Sequence, residues 1–386
     1  MPCLERLALL GTHLIPRTVH VEERLQPKAL CNTTDAVQAA ATTAAGMAAD
    51  EPSSVPVRWD EHVERFAPGS AEAADYLTEH GFVVIRQVLS DQECRQALDL
   101  LWDGLEELGS GIDRHDVNTW TNDRWPGQGQ TGSGLTGVRG DYGFTHCPAA
   151  WFVRGVPAVK ESFSAMWGTD DLFTSLDGLA VTRPWGIETE WRPTQAFHWD
   201  RGFTRPERFE YLQGFVNLLP TTPSTGGNVV LPGLHTKFAE LAEEYSDESG
   251  NVNLDAPRLL ADHPELWTGA HAPINPHLEA GDLYLWDDRC LHCGGAPPTK
   301  PDATPKLQRA MILVCMKPKS ESEPGASKNR KQAFERGVGG GHVAGRLIDI
   351  DGTVTSLKEN GRWDNYGKFN RINPPVLDAG QLDLLV

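Results

Sequence analysis

His198-Trp199-Asp200 and, further along, Gly281-Asp-Leu-Tyr-Leu-Trp-Asp-Asp-Arg-Cys-Leu-His292 are the stretches on which the reading of this chain turns. In extended backbone, side chains alternate between faces, so His198 and Asp200 point one way and Trp199 the other. His292, on a neighbouring strand, supplies a third donor to the same point. Two imidazoles and one carboxylate on a triangular face form the donor set that holds non-haem Fe(II) and leaves the opposite face open. A lone histidine at either position would read as a hydrogen-bonded core residue, so the argument for metal lies in the combination.

Size and charge bound what such a site would serve. With 386 residues, of which 39% are hydrophobic, the chain can bury a large core. Lys and Arg number 35 against 53 Asp and Glu, a formal net charge of −18. That balance repels nucleic acid and anionic membrane surfaces, so the expected partner is a small-molecule substrate, with no nucleic acid and no membrane. No stretch reaches the roughly 18 apolar residues a bilayer requires. The short apolar run at residues 7–10 is not preceded by a cationic segment and is soon interrupted by His13 and Arg17, a poor fit to a secretory signal. Seven cysteines scattered over a long chain suit reduced thiols, and the expected location is cytoplasmic. Cys290-Leu-His-Cys293 resembles half of a zinc site but lacks a second half at the usual spacing.

Residues 1–58 read as an extension or linker, ending in an Ala/Thr-rich run, and 59–386 as a single domain with insertions near 237–277 and 318–341. A helix is expected over 71–80, then the apolar strand Gly81-Phe-Val-Val-Ile85. Ser90-Asp-Gln-Glu93 is a capping box, followed by Leu98, Leu101, Trp102, Leu105 and Leu108 on one helical stripe. Gly127-Gln-Gly129-Gln-Thr-Gly132 satisfies GxGxxG but follows no apolar strand, so it reads as a loop. Another helix is expected over 156–167, with strands over 176–182, 197–200, 211–218, 227–231, 283–286 and 309–316. Residues 237–248 read as an acidic helix, 251–277 as irregular, and 318–341 as an exposed loop. The expected class is mainly β with flanking helices, a sandwich or barrel.

His198-x-Asp200, Gln213-Gly-Phe-Val-Asn217, Gly226-Gly-Asn-Val-Val-Leu-Pro-Gly-Leu-His235, the Gly281–His292 stretch and Arg309 at a strand start, in this order, resemble the phytanoyl-CoA dioxygenase family of Fe(II)/2-oxoglutarate oxygenases. The resemblance implies a double-stranded β-helix, or jelly roll, with a cupin-like core. It implies iron on His198, Asp200 and His292, with 2-oxoglutarate and O2 as cosubstrates. By position, Arg309 would hold the far carboxylate of 2-oxoglutarate, because a guanidinium fork matches a carboxylate bidentately and stays charged. Arg289 is the weaker alternative. Gln213 and Asn217 are candidate polar contacts in the same cavity. The implied reaction is oxidation of a substrate C–H bond, hydroxylation by default, with release of succinate and CO2. Asp200 stands where halogenating relatives carry a small residue, which disfavours halogenation. Arg183, Arg192, Arg201, Arg205 and Arg208 cluster near the triad, and two readings stay open: a carboxylate-bearing or amino-acid-derived substrate, or ion pairing with the interleaved glutamates. The rival class is a cupin-like metal-dependent isomerase or a binding protein on the same scaffold.

Overall fold

A computed structural model describes residues 56–121, 123–126, 141–184, 196–295, 306–359 and 369–386. The glycine-rich segment 127–132 and most of the expected N-terminal extension lie outside them. Among the described residues the strands are β1 (Arg58–Asp60), β2 (Arg65–Phe66), β3 (Phe82–Ile85), β4 (Leu172–Thr174), β5 (Leu179–Thr182) and β6 (Leu212–Asn217). They continue with β7 (Gly227–Val230), β8 (Ile274–Pro276), β9 (Leu283–Asp287), β10 (His292–Gly295), β11 (Arg309–Leu313) and β12 (Met316–Pro318). The helices are α1 (Ala71–His80), α2 (Asp91–Glu107), α3 (Pro148–Arg154), α4 (Pro157–Trp167), α5 (Phe238–Glu244), α6 (Ala256–Asp262), α7 (Ala326–Glu335), α8 (Ile350–Glu359) and α9 (Ala379–Leu385).

Two main sheets form. The larger runs β2-β3-β9-β6-β11-β5 and the smaller β1-β8-β7-β10. His198 extends the smaller sheet past β10, exchanging backbone hydrogen bonds with His292 in both directions at 2.9 and 3.2 Å. From β5 onward the chain visits large sheet, His198 segment, large, small, small, large, small, large. That repeated crossing is the jelly-roll winding, and the edge strands of the two sheets are tied by it.

Alternation along each strand divides the apolar residues between two cores. On β9, Leu283 and Leu285 join Val83, Ile85, Val216 and Ile312 in the core under α2, whereas Tyr284 and Trp286 join Phe82, Val84, Phe215, Val230 and Met311 between the sheets. α2 starts on the capping box Ser90–Glu93 and buries Cys94, Ala97, Leu101 and Leu105. A large-to-small change in this core, such as Leu285→Ala on β9, would cost about 2–5 kcal/mol. The sequence therefore specifies which face of each strand lines the interior, and His292, paired with Val230, lies on that inner face.

Three expectations need correction. Residues 197–200 form no strand beyond the single bridge at His198, because the following loop wraps its carbonyls around the Arg201 side chain instead of a neighbouring strand. Residues 251–277 are not irregular: they hold α6, two 3-10 turns and β8, and bury Leu259, Trp267 and Ile274. Residues 318–341 are not an exposed loop. α7 buries Ala326, Arg330 and Ala333, and the Arg330 guanidinium donates to the carbonyls of Thr174, Leu384 and Leu385. Polar composition misleads here because that arginine is paired with backbone oxygens inside the protein.

Candidate active site

The bridge between His198 and His292 puts the two residues directly opposite one another, and directly opposite residues share a face. Their ring centroids lie 4.6 Å apart. Each ring is oriented by the same device: Nδ1 of His198 contacts the carbonyl of Ala196 at 2.7 Å and Nδ1 of His292 that of Cys290 at 3.1 Å. A carbonyl can only accept, so both Nδ1 atoms carry the proton and both Nε2 lone pairs face inward. Burial holds the His198 imidazole below its usual pKa, aided by His292 and opposed by Asp200, which keeps the lone pair free at neutral pH.

Asp200 closes the triangle. Its Oδ1 is 3.6 Å from His198 Nε2 and its Oδ2 3.3 Å from His292 Nε2, and all three donor atoms lie within 4.8 Å of one another. Donors set about 2.1 Å from a divalent ion at right angles are about 3 Å apart, so small side-chain rotations bring these three onto one ion. Burial opposes ionisation of Asp200, but the polar groups around it, the His342 imidazole that Asp177 keeps charged among them, outweigh that and hold its carboxyl well below the usual range. Gln213, from the inner face of β6, donates from Nε2 to Asp200 Oδ2 at 2.6 Å, while its Oε1 accepts from Trp286 Nε1 at 3.1 Å. Its amide is thereby fixed in orientation. The loop behind Asp200 is anchored by Arg201, which donates to Asp288 at 2.7 Å and to the carbonyls of Gly202, Thr204, Arg205 and Arg208.

The model of the family described as phytanoyl-CoA dioxygenase (PhyH) matches residues 77–300, more than half of the chain. The chain belongs to the phytanoyl-CoA dioxygenase family. It is thus an Fe(II)/2-oxoglutarate-dependent oxygenase, which removes the alternative of a cupin-like isomerase or binding protein. A curated relative, Ava biosynthesis cluster protein O of Aspergillus versicolor, is 26% identical over 284 residues, spanning 71% of this chain and 86% of its own. Among solved structures, the non-heme alpha ketoglutarate dependent carbocyclase SnoK from nogalamycin biosynthesis aligns over 64% of this chain and 83% of its own, at 17% identity and TM-score 0.43. EctD from S. alaskensis, solved with 2-oxoglutarate and 5-hydroxyectoine, aligns over 71% and 87%, at 16% identity and TM-score 0.42.

For a phytanoyl-CoA dioxygenase family member the placement of the arginines is informative. Arg309 opens β11 on its inner face and reaches across the sandwich to the Gly227 carbonyl of β7 at 3.2 Å. Its side chain is buried, its Nε has no partner, and among the described residues no carboxylate pairs with it. Burial alone lowers it, to about 10, which still leaves it charged at neutral pH. Gly227 pairs with Gly295 and Val230 with His292, so Arg309 contacts the strand pair three residues, about 10 Å, along from the triad. Arg289 is instead clamped to Asp287 by bonds of 2.9 and 2.7 Å. Asn217 donates to the carbonyls of Leu219 and Glu279, and no contact links it to Arg309.

The arginine cluster resolves mostly into ion pairs: Arg201 with Asp288 and Glu210, Arg205 with Glu210, and Arg208 with Glu321. Arg183 is buried over the Trp125 ring and donates to the Trp120 carbonyl, and Arg192 lies outside the described residues. Trp199 faces away from the triad, packing against Phe203 and Phe238 and donating to the Arg289 carbonyl at 3.0 Å. The cysteines of the CxxC are both free and buried, and Cys290 donates to the Gly81 carbonyl.

Sequence reading missed three residues. Asp177, Cys315 and His342 form a second close group of donors, with His342 Nδ1 2.5 Å from Asp177 Oδ2 and its Nε2 3.7 Å from Asp200 Oδ2. Burial works against a charge on His342, yet Asp177 overcomes it and holds the imidazole well above its usual pKa. His342 follows Gly339-Gly-Gly341, a run without periodicity, so nothing in the sequence tied it to the triad.

Proposed function

We propose that this oxygenase holds Fe(II) on His198, Asp200 and His292, binds the far carboxylate of 2-oxoglutarate on Arg309, and hydroxylates a C–H bond of a small organic molecule. The observation that carries the reading is the convergence of two imidazole Nε2 atoms and one carboxylate, both Nδ1 atoms being tied back to main chain. Such a set offers three donors on one side of an ion and leaves the other side for exchangeable ligands. The unpartnered Nε of buried Arg309 supports the cosubstrate assignment: unlike Arg330, which three carbonyls surround, its guanidinium has one carbonyl and a sulfur, and an incoming carboxylate would satisfy the rest.

When bound, iron with 2-oxoglutarate and O2 supplies the oxidising power, the cosubstrate leaving as succinate and CO2. The chain supplies placement. Gln213 pins one Asp200 oxygen, and the rigid Trp286 indole pins Gln213. Arg309 presents a planar fork at a fixed distance from the triad, which orients an elongated dicarboxylate along β7 and β10. Trp286 and Phe215 on the inner face, with Met311 beside Arg309, keep the interior apolar and limit water around the reacting groups. Because Asp200 fills the third protein position, halide has no vacated site, and oxygen insertion is favoured over halogen transfer.

The test is anaerobic addition of Fe(II) and 2-oxoglutarate, followed by O2. A weak visible charge-transfer band and O2-dependent succinate release are expected, and His198→Ala and Asp200→Ala should abolish both. Full turnover in either variant would refute the ligand assignment. Incubating the loaded enzyme with a metabolite extract should then yield a product heavier by one oxygen; a loss of two hydrogens would instead indicate desaturation or ring closure.

A further inference from the structure

Beyond the residues matched by the family model, the chain returns to the centre of the molecule. After α7 the segment Val338–Gly341 runs antiparallel to Leu176, bridged at Gly341, with Gly340 N–H donating to the Leu176 carbonyl at 2.8 Å. The path is tight at its start: a Cβ on Gly339 would lie 2.8 Å from Thr145 Oγ1 and 3.1 Å from the Leu176 carbonyl, while Gly341 has room for one but a φ of +73°. The residue delivered by this glycine run is His342. On one side its Nδ1 meets Asp177 Oδ2 at 2.5 Å; on the other its Nε2 faces Asp200 Oδ2 at 3.7 Å, and Cys315 completes the group. Asp177 is itself fully buried, and its second oxygen accepts the Gly178 N–H at 2.7 Å, so it is a fixed anchor.

We propose that His342 is a positioning residue of the metal site: held by Asp177, it flanks the Asp200 carboxylate and so sets how Asp200 meets the metal. This rests on the ligand assignment proposed above. Gln213 and His342 approach the same oxygen, Oδ2, from different elements, β6 and the C-terminal segment. His292 Nε2 faces that oxygen too, at 3.3 Å, so a carboxylate flanked in this way has little freedom to turn and its direction toward a metal is set by its neighbours. Outer partners of this kind typically change metal affinity about 10- to 100-fold when removed.

The experiment is anaerobic titration of the full chain with Co(II) alone, reading affinity and the visible ligand-field spectrum, for the wild type, His198→Ala, His342→Leu, His342→Gln and Asp177→Asn. Thermal melting of each apoprotein separates folding losses from site losses, and Asp177→Asn preserves volume should the His342 variants fold poorly. His198→Ala should lose binding. His342→Leu should weaken Co(II) about 10- to 100-fold with an altered spectrum, His342→Gln should recover most of the loss through its remaining N–H donor, and Asp177→Asn should fall between. If His342→Leu and Asp177→Asn bind Co(II) within twofold of wild type with an unchanged spectrum, while His198→Ala does not bind, the positioning role is overturned and the ligand assignment stands. Unchanged binding in His198→Ala would overturn the ligand assignment, and this inference with it.

Discussion

At the scale of single residues, the chemistry depends on groups whose hydrogen-bonding options are already restricted. Arg309 is the plainest case: one bond to a carbonyl, one contact with sulfur, and a buried Nε without a partner. Arg309→Met should raise the KM for 2-oxoglutarate on the order of 100-fold, since losing one partner of a buried charged pair costs about 3 kcal/mol. kcat at saturating cosubstrate should fall much less, and a lysine at this position should restore only part of the loss, having no planar fork. Initial-rate measurements of succinate release check this, and an unchanged KM would point the guanidinium to a structural role. Gln213 differs because it touches Asp200 and Trp286. Gln213→Leu should lower metal affinity about 10-fold or more while leaving the KM for 2-oxoglutarate nearly unchanged at saturating metal; metal titration and kinetics together separate it from Arg309. The faces of these residues were legible in the sequence, because period-2 alternation puts Gln213, Asn217 and Arg309 on inner faces. What they touch was not legible. Asn217 meets carbonyls of two loops, and no spacing rule encodes a contact made by a turn in another part of the chain.

At the scale of elements, the short loop behind Asp200 shows why a strand expectation over 197–200 is only half right. Alternation did put His198 and Asp200 on one side, but a single bridge is all the ladder there is. The loop is held by a buried pair, with Arg201 and Asp288 side chains 3% and 0% exposed. Asp288→Ala leaves the guanidinium with only carbonyls and the more distant Glu210 and should cost about 3 kcal/mol of stability. The measurement belongs at pH 8, because burial and neighbouring Asp287 push the Asp288 carboxyl up to about 7 despite Arg201, and only above that value is it fully ionised. Urea unfolding should show the loss, and metal affinity should drop with it because Asp200 precedes Arg201 directly. A variant with wild-type stability would mean that the carbonyls alone suffice to hold the loop. The elements that sequence reading placed well, α2 with its capping box and β9 with its alternating faces, carry local signals in caps and periodicity. α7 carries neither: it starts after Gly325 without a side-chain cap, and its buried Arg330 looks like surface composition until Thr174, Leu384 and Leu385 are brought to it.

At the scale of the whole molecule, the C-terminal segment is tied to the jelly roll at one buried histidine outside the metal site. His146, fully buried, contacts the Val338 carbonyl through Nε2 at 2.9 Å and accepts from Trp151 Nε1 at 3.4 Å through Nδ1. The ring therefore links α3 to the start of the glycine run that ends at His342. Burial lowers its pKa to about 3, the Val338 carbonyl opposing this only in part and Arg154 and Arg330 adding to it. In the unfolded chain it titrates near 6.5, so between the two values the unfolded state binds the proton and the folded state refuses it. Stability then rises with pH across that window: it is fully retained above about 6.5 and is lost as pH falls toward about 3, at up to about 1.4 kcal/mol per pH unit from this residue. His146→Gln keeps a donor for the Val338 carbonyl and cannot titrate. It should be less stable than wild type at pH 7.5, with the gap closing as pH is lowered to 4.5. Urea midpoints of both proteins at several pH values measure it, and the acidic groups common to both cancel in the difference. Parallel pH profiles for the two proteins would show that His146 takes up its proton without opening the fold, and the tie between α3 and the glycine run would have to lie elsewhere.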